Sequence, residues 1–238
     1  MRSYLSLSIL FLISIGFSQK EYNSNDLIEM DNGLWTEKFS DEPITGKVYG
    51  YFGEVKPYKK VYIGNLVNGK KIGKWKSYYH STGKKIYEET FKDGKEDGLR
   101  TFWYQNGQKY TEGTYKNGKE DGLGTFWYKN GQKSKEGTYK DGKRVGVHYE
   151  WYENGQKKWE VIFKEGNKVS SFSWHLNRQK KSKTFYKDGK SDGIETSWYE
   201  NGQKKEEWIH KDGKMISIKC YYEDGNECEC NLFGFGCI

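Results

Sequence analysis

The sequence predicts an all-β fold, an elongated single-layer antiparallel β-meander built from hairpin repeats. A turn dipeptide recurs every 24 residues, at Asn106-Gly107, Asn130-Gly131 and Asn154-Gly155, and returns one residue early at Asn201-Gly202. Asn-Gly and Asp-Gly tolerate the positive φ angles of tight hairpin turns, so each recurrence indicates a chain reversal. Such self-similarity is typical of stacked repeat architectures. A second set of dipeptides lies about half a period away, at Asp93-Gly94, Asn117-Gly118, Asp141-Gly142, Glu165-Gly166, Asp188-Gly189 and Asp212-Gly213.

The composition indicates a thin sheet. Hydrophobic residues make up only 34% of the chain, which is too little for a thick two-layer core. Aromatic residues make up 17%, far more than a disordered chain contains. We therefore expect aromatic rings and lysine stems to cover the strands.

Within a typical unit, residues 99–105 should form one strand and residues 108–116 the next. Successive side chains of a strand point to opposite faces, so Trp103 and Tyr104 should lie on opposite sides of the sheet. The tryptophans of successive units would anchor a bound partner if they face solvent. The alternative is that they form the core. These candidate binding residues are Trp103, Trp127, Trp151, Trp174 and Trp198.

Four segments are predicted along the chain: a signal peptide at 1–18, a divergent N-terminal cap at 19–67, repeats at 68–225 and a cysteine-rich C-terminal cap at 226–238. Arg2, an apolar run that ends at Phe17, and small residues at Gly16 and Ser18 are typical of a secretory leader cleaved after Ser18. No later stretch has the roughly 20 apolar residues that span a bilayer. The expected location is therefore secreted, or periplasmic within the cell envelope.

The charge pattern argues against nucleic acid as a partner. The formal net charge is +7, but 36 of the 40 basic residues are lysines. Lysine lacks the bidentate fork that suits phosphate and base recognition, and acidic residues are interspersed throughout. Solvated faces are therefore predicted, with an anionic-lipid patch as the weaker alternative.

The cysteines predict a disulfide-stapled end. All four lie close together, at Cys220, Cys228, Cys230 and Cys237. An even number in an exported chain favours disulfides, and three connectivities are open. The alternatives are a thiolate metal site, although Cys-x-Cys lacks the usual zinc-ribbon spacing, and free or intermolecular thiols.

No catalytic residue, metal site or cofactor is predicted. His175 falls in a column that other units fill with tyrosine, and His210 falls in a second aromatic column, so both are interpreted as ring substitutions. The acids that recur beside the turns, such as Asp97 and Asp121, are interpreted as turn formers rather than a hydrolytic pair. A Gly-x-Ser-x-Gly nucleophile motif is absent from the sequence.

Three recurring strings, DGKEDGLRTFWYQNGQK, NGKEDGLGTFWYKNGQK and DGKSDGIETSWYENGQK, resemble the MORN-repeat family in its bacterial variant. The resemblance covers roughly residues 68–225. It implies a hairpin-repeat scaffold, and proteins of this kind are often grouped with antitoxin components of toxin–antitoxin modules. Function in such scaffolds resides in grafted sites, so the fold alone specifies little.

Together these observations predict an exported, non-enzymatic binding scaffold that acts through protein–protein interaction. The resemblance makes a cognate toxin one candidate partner. The alternative function is an envelope-associated structural protein that binds polysaccharide or anionic lipid.

Overall fold

A computed structural model describes residues 19–53, 56–231 and 236–237. The predicted signal peptide at 1–18 lies outside the described residues. In the described part, the only helical element is one 3₁₀ turn at Ser24–Asp26. The prediction of an all-β fold is confirmed.

The strands follow one another with short connections. Their bounds are β1 Glu21–Asn23, β2 Leu27–Glu29, β3 Trp35–Glu37, β4 Gly46–Phe52, β5 Lys59–Val67, β6 Lys70–Tyr78, β7 Lys85–Lys92, β8 Lys95–Trp103, β9 Lys109–Lys116, β10 Lys119–Trp127, β11 Lys133–Lys140, β12 Lys143–Trp151, β13 Lys157–Lys164, β14 Asn167–Trp174, β15 Lys180–Lys187, β16 Lys190–Ser191, β17 Gly193–Trp198, β18 Lys204–Lys211, β19 Lys214–Tyr221 and β20 Glu227–Cys228.

Over the described ranges, one sheet contains 18 strands and a small second sheet contains two. Strands β4 to β20 pair antiparallel in chain order, with β16 and β17 sharing β15 as their neighbour. Strand β1 pairs parallel with β4, with Glu21 opposite Lys47. Strands β2 and β3 form the separate hairpin, which turns at Gly33. The predicted meander is therefore confirmed.

The turns fall into two classes, which the recurring dipeptides alone do not distinguish. At Asp93-Gly94 and its equivalents both residues have positive φ, 51° and 82° here, as a two-residue type I′ turn requires. At Asn106-Gly107 only the glycine does, with φ 91°, and the Gly107 N–H donates to the Tyr104 carbonyl. This wider turn is a type I turn closed by a left-handed residue. Arg178 takes that left-handed place in its unit, with φ 70°.

Replacing Gly131 with valine should destabilise the protein. Gly131 has φ 85°, and an added Cβ would also meet the side chain of Gln108 in the preceding unit. A β-branched residue held in this region costs about 1 to 3 kcal/mol. Arg178→Val is the control, because position 178 already holds a side chain at positive φ. Urea unfolding should show the larger loss for Gly131→Val, and equal midpoints would contradict this account of the turn.

Hydrogen bonds link each unit to the next at one edge of the sheet. The Tyr104 hydroxyl donates to the Trp127 carbonyl at 2.8 Å, and the Tyr128 hydroxyl donates to the Trp151 carbonyl at 2.6 Å. His175 occupies the same column, with its Nε2 2.9 Å from the Trp198 carbonyl oxygen. The histidine therefore supplies both the ring and the hydrogen bond that tyrosine supplies in the other units.

The recurring aspartates link units at the opposite edge. The Asp97 carboxylate accepts the Asn117 amide at 3.3 Å, and Asp121 accepts the Asp141 amide at 3.2 Å. Each carboxylate thus satisfies a turn amide of the next unit. Asp97 and Asp121 themselves lie within β8 and β10, so they support a neighbouring turn rather than form a turn of their own. In the described part, Asp192 repeats the contact with the Asp212 amide.

The compact apolar core lies at the N-terminal end. The β2–β3 hairpin covers the sheet there, and Leu66 and Val48 are almost fully buried beneath it. Trp75 closes the cluster on the side of the repeats, and its Nε1 donates to the Asn65 carbonyl at 3.1 Å. The buried cluster consists of Tyr22, Leu27, Ile44, Val48, Leu66 and Trp75. Beyond this cluster the array depends mainly on contacts between neighbouring units.

Candidate binding surface

The repeat sheet has two chemically different faces. Strand alternation places Trp103 on one face and its neighbour Phe102 on the other. We call the first the tryptophan face. The second is the ring face, which carries Phe102, Tyr110, Tyr115, Phe126, Tyr139, His148, Phe163 and Tyr186. Tyr104 also turns to the ring face, with its ring 5.0 Å from that of Tyr110.

On the tryptophan face, lysine–glutamate pairs cover the indoles. Lys109 Nζ lies 2.6 Å from Glu112 Oε2 and 5.6 Å from the ring centre of Trp127 in the next unit. The same lysine–glutamate spacing recurs at Lys85–Glu88, Lys133–Glu136, Lys157–Glu160 and Lys204–Glu207. The five tryptophans named above are all half-buried. Their indoles are neither fully enclosed nor freely exposed.

One unit breaks this ion-pair column. Lys183 stands where the other units carry glutamate, so Lys180 has no equivalent acidic neighbour three residues on. The Lys183 ammonium instead lies 4.6 Å from the ring centre of Phe185. The Lys183 side chain is half-buried beside this ring.

The ring face carries a long aromatic groove. A cavity of about 730 Å³ runs across the middle units, from Tyr104 to Tyr186. A neighbouring cavity of about 290 Å³ extends it towards Arg100 and shares Tyr110 and Phe126 with it. The groove therefore crosses the strands and follows the long axis of the array.

Glycines form the floor of this groove. Gly113, Gly124 and Gly137 lie side by side on β9, β10 and β11. At Gly113 an added Cβ would find no atom nearer than 3.8 Å, whereas at Gly124 it would meet the Tyr139 ring at 3.1 Å. The His148 ring lies across Gly137 and leaves no space for a Cβ there. The floor is therefore open at Gly113, whereas aromatic rings cover it at Gly124 and Gly137.

The charges on the ring face change sign along the array. Arg100 lies 2.9 Å from Glu89 and 3.0 Å from Glu96, so two carboxylates share one cation at β7 and β8. Burial raises the pKa of Glu89 above its usual value, against the opposing effect of Arg100. In the next unit, Glu120 occupies the position equivalent to Glu96. In the two units after that, Arg144 and then Lys168 occupy this position. Neither of these two cations has an ion-pair partner among the described residues.

His148 forms part of the groove wall. Its ring lies edge to face between Tyr139 and Phe163, at 5.2 Å and 4.9 Å between ring centres. Its Nε2 lies 2.9 Å from the Thr138 carbonyl oxygen. Burial is the main cause that lowers the pKa of His148 below its usual value, and the nearby Arg144 guanidinium adds to the effect.

The lowered pKa of His148 predicts a loss of stability in acid. The unfolded chain binds a proton at this residue more readily than the folded chain, so the free energy of unfolding falls as the pH drops below about 6.5. His148→Phe keeps a ring in place and removes the titration. Urea unfolding between about pH 7.5 and about pH 5.5 should show a steeper loss in the wild type than in the variant. Parallel pH dependence in the two proteins would contradict this assignment.

The cysteine segment is stapled at the last strands. The structure pairs Cys220 with Cys230 and Cys228 with Cys237, which selects one of the three possible connectivities. In addition, the Gly236 amide donates to the buried Glu206 carboxylate at 2.6 Å. The segment thereby attaches to β18 as well as to β19.

The described residues provide no group of three or more His, Cys, Asp or Glu side chains that could hold a metal ion. His210 Nε2 lies 3.2 Å from Glu195, and His80 packs against Tyr58. These are local contacts of single histidines. Within the described ranges, no helix is long and apolar enough to cross a membrane.

Three segments of the chain, residues 96–117, 120–141 and 191–212, match the family model of the MORN repeat variant. Three of the units therefore carry the MORN repeat pattern. Repeats of this family serve generally as protein- or lipid-binding motifs rather than catalytic ones. No curated protein matches the chain. The units that carry Arg144 and Lys168 lie between the matched segments.

The tryptophan column was predicted from the sequence, whereas the groove on the other face was not. Its signals were present in the repeat alignment, as Gly113 and Gly124 on neighbouring strands and as the change from Glu96 and Glu120 to Arg144 and Lys168. The alignment alone does not show that these positions adjoin one open space.

Proposed function

We propose that the chain is an exported, non-enzymatic MORN-type scaffold that binds a protein partner. The aromatic groove of the ring face is the observation that carries this proposal. It offers rings, an open backbone floor and unpaired cations in one continuous surface. Extended grooves of this kind suit a polypeptide segment better than a small molecule.

The arrangement of the rings favours protein over polysaccharide. Tyr110 and Phe126 meet at 78° between ring planes, and Tyr139 and His148 meet at 79°. Such edge-to-face contacts leave apolar pockets between the rings, whereas sugar rings stack on flat aromatic faces. Apolar side chains of a polypeptide fit pockets of this kind.

The lysines argue against anionic lipid as the main partner. On the tryptophan face most lysines of the repeating column already pair with glutamate, as Lys133 does with Glu136. Paired charges leave little net attraction for a negatively charged surface. Lipid and polysaccharide binding at the envelope remain the alternatives that the experiment must exclude.

Export is supported by the leader-like residues 1–18 and by the two disulfides, because disulfides persist in oxidising compartments. A cognate toxin is one candidate partner on the family resemblance alone. The five tryptophans form a second proposed contact surface. Their half-buried indoles would contribute if a partner displaced the lysines above them.

Affinity purification of the tagged, full-length protein from the exported fraction tests the proposal. The expected result is one stoichiometric protein partner that stays bound when the salt concentration is raised, because an aromatic interface is screened weakly. Enrichment of glycan or lipid without a protein would contradict it. Alanine replacement of Trp103 and, separately, of Phe126 assigns the contact to the tryptophan face or to the ring face.

A further inference from the structure

We propose that the groove selects an extended segment in the polyproline II conformation, with one basic and then two acidic residues at steps of three. This inference rests on the proposed function and names the chemistry of the partner. It starts from the column formed by Glu120, Arg144 and Lys168. These residues occupy the same position in three successive units and border the groove.

The cations are held over aromatic rings. The Arg144 guanidinium lies 5.4 Å from the ring centre of Phe163, and the Lys168 ammonium lies 5.6 Å from that of Tyr186. Both side chains are exposed. Because neither has a carboxylate partner within the described part of the chain, both are available to a carboxylate of a ligand.

The spacing of the column defines the ligand. Each unit contributes two strands, so equivalent residues of successive units are about 9.6 Å apart along the array. Three residues of a polyproline II helix advance by about 9.3 Å and return to the same side of the helix. In an extended β-strand side chains alternate, so the residue three positions further along would point to the opposite side. A polyproline II segment along the groove therefore places every third side chain beside one unit.

The groove also suits this conformation. Polyproline II segments dock into grooves lined by aromatic side chains, because they are already extended and lose little entropy on binding. The open floor at Gly113 lets such a segment approach the sheet. Since Glu120 precedes the two cations, the matching ligand carries one basic residue followed, at steps of three, by two acidic residues.

Binding of fluorescent peptides to the full-length, oxidised protein tests this inference. The probe is KPPEPPEPP, used in both chain directions because the groove leaves the direction open. A peptide of the same composition with altered spacing, KPEPPPPEP, is its control. We expect the first peptide to bind at least about tenfold more tightly than the second.

Charge reversal in the groove supplies the second arm. Arg144→Glu with Lys168→Glu restores the residue type that earlier units carry at this position, so the variant should fold. It should bind KPPEPPEPP at least about tenfold more weakly and gain binding to KPPKPPKPP. The matched control is Lys164→Glu with Lys187→Glu, at exposed strand ends outside the groove, which should bind like the wild type.

Equal binding of the two acidic peptides, or unchanged binding by the groove variant, would overturn the inference. So would a failure of every peptide to bind, or anionic vesicles that bind through Arg144 and Lys168 and displace the peptide. If the groove still captures a protein partner in those cases, only the ligand chemistry is wrong. Loss of both peptide binding and partner capture would overturn the proposed function as well.

Discussion

Removing the disulfide between Cys220 and Cys230 should release the last hairpin of the sheet while the central units stay folded. The bond closes a loop with a sequence separation of 10, and Cys220 is completely buried. In the chain-entropy account, closing such a loop contributes about 2 to 3 kcal/mol. In a repeat array, contacts join mainly neighbouring units, so the loss should stay local.

Native-state hydrogen exchange of Cys220→Ser with Cys230→Ser measures this effect. Amides of β19 should lose protection, whereas those of β10 to β13 should keep it. Cys228→Ser with Cys237→Ser is the matched control for the second bond, whose sequence separation is 9. Because that bond lies nearer the sheet edge, the control should disturb β19 less. Uniform loss of protection along the array would show that the whole array opens as one cooperative body, which would contradict a local effect.

Leu66→Ala should be the most damaging single substitution in the N-terminal part of the chain. Leu66 has no exposed surface and lies at the centre of the buried cluster beneath the β2–β3 hairpin. Replacing a buried leucine with alanine costs about 2 to 5 kcal/mol, because it removes apolar contacts and leaves a cavity.

Leu123→Ala is the control, since Leu123 is 54% exposed on a central strand. Its expected effect on the free energy of unfolding is within about 0.5 kcal/mol. Urea unfolding combined with hydrogen exchange separates the two cases. Comparable losses for both variants would mean that a residue of the apolar cluster contributes no more to the free energy of unfolding than an exposed residue of the single-layer sheet.

The hairpin array could be predicted because its causes are local. Asn-Gly and Asp-Gly dipeptides define the chain reversals, and alternation along each strand assigns Trp103 and Tyr104 to opposite faces. The ring substitution at His175 could likewise be predicted from its column. Each of these inferences depends on residues within one unit or at the same place in the next.

The N-terminal core and the groove depend on contacts between distant residues. Leu27, Ile44 and Leu66 come from separate parts of the chain, and the pairing of β1 with β4 helps bring them together. The difference between the two turn classes depends on the position of the strand ends relative to each dipeptide. The groove depends on how the rings of neighbouring strands tilt, which alternation does not specify.

The central claim, that the ring-face groove binds the partner, is tested most directly by filling its floor. Gly113 has ordinary extended geometry and an open space above it, so Gly113→Leu should fold at least as well as the wild type. The control is Thr114→Leu, which adds the same side chain to the opposite face. The measurement is partner capture by each tagged variant, with unfolding midpoints recorded in parallel. We predict that Gly113→Leu loses the partner and Thr114→Leu retains it, whereas full capture by a stably folded Gly113→Leu would contradict the account.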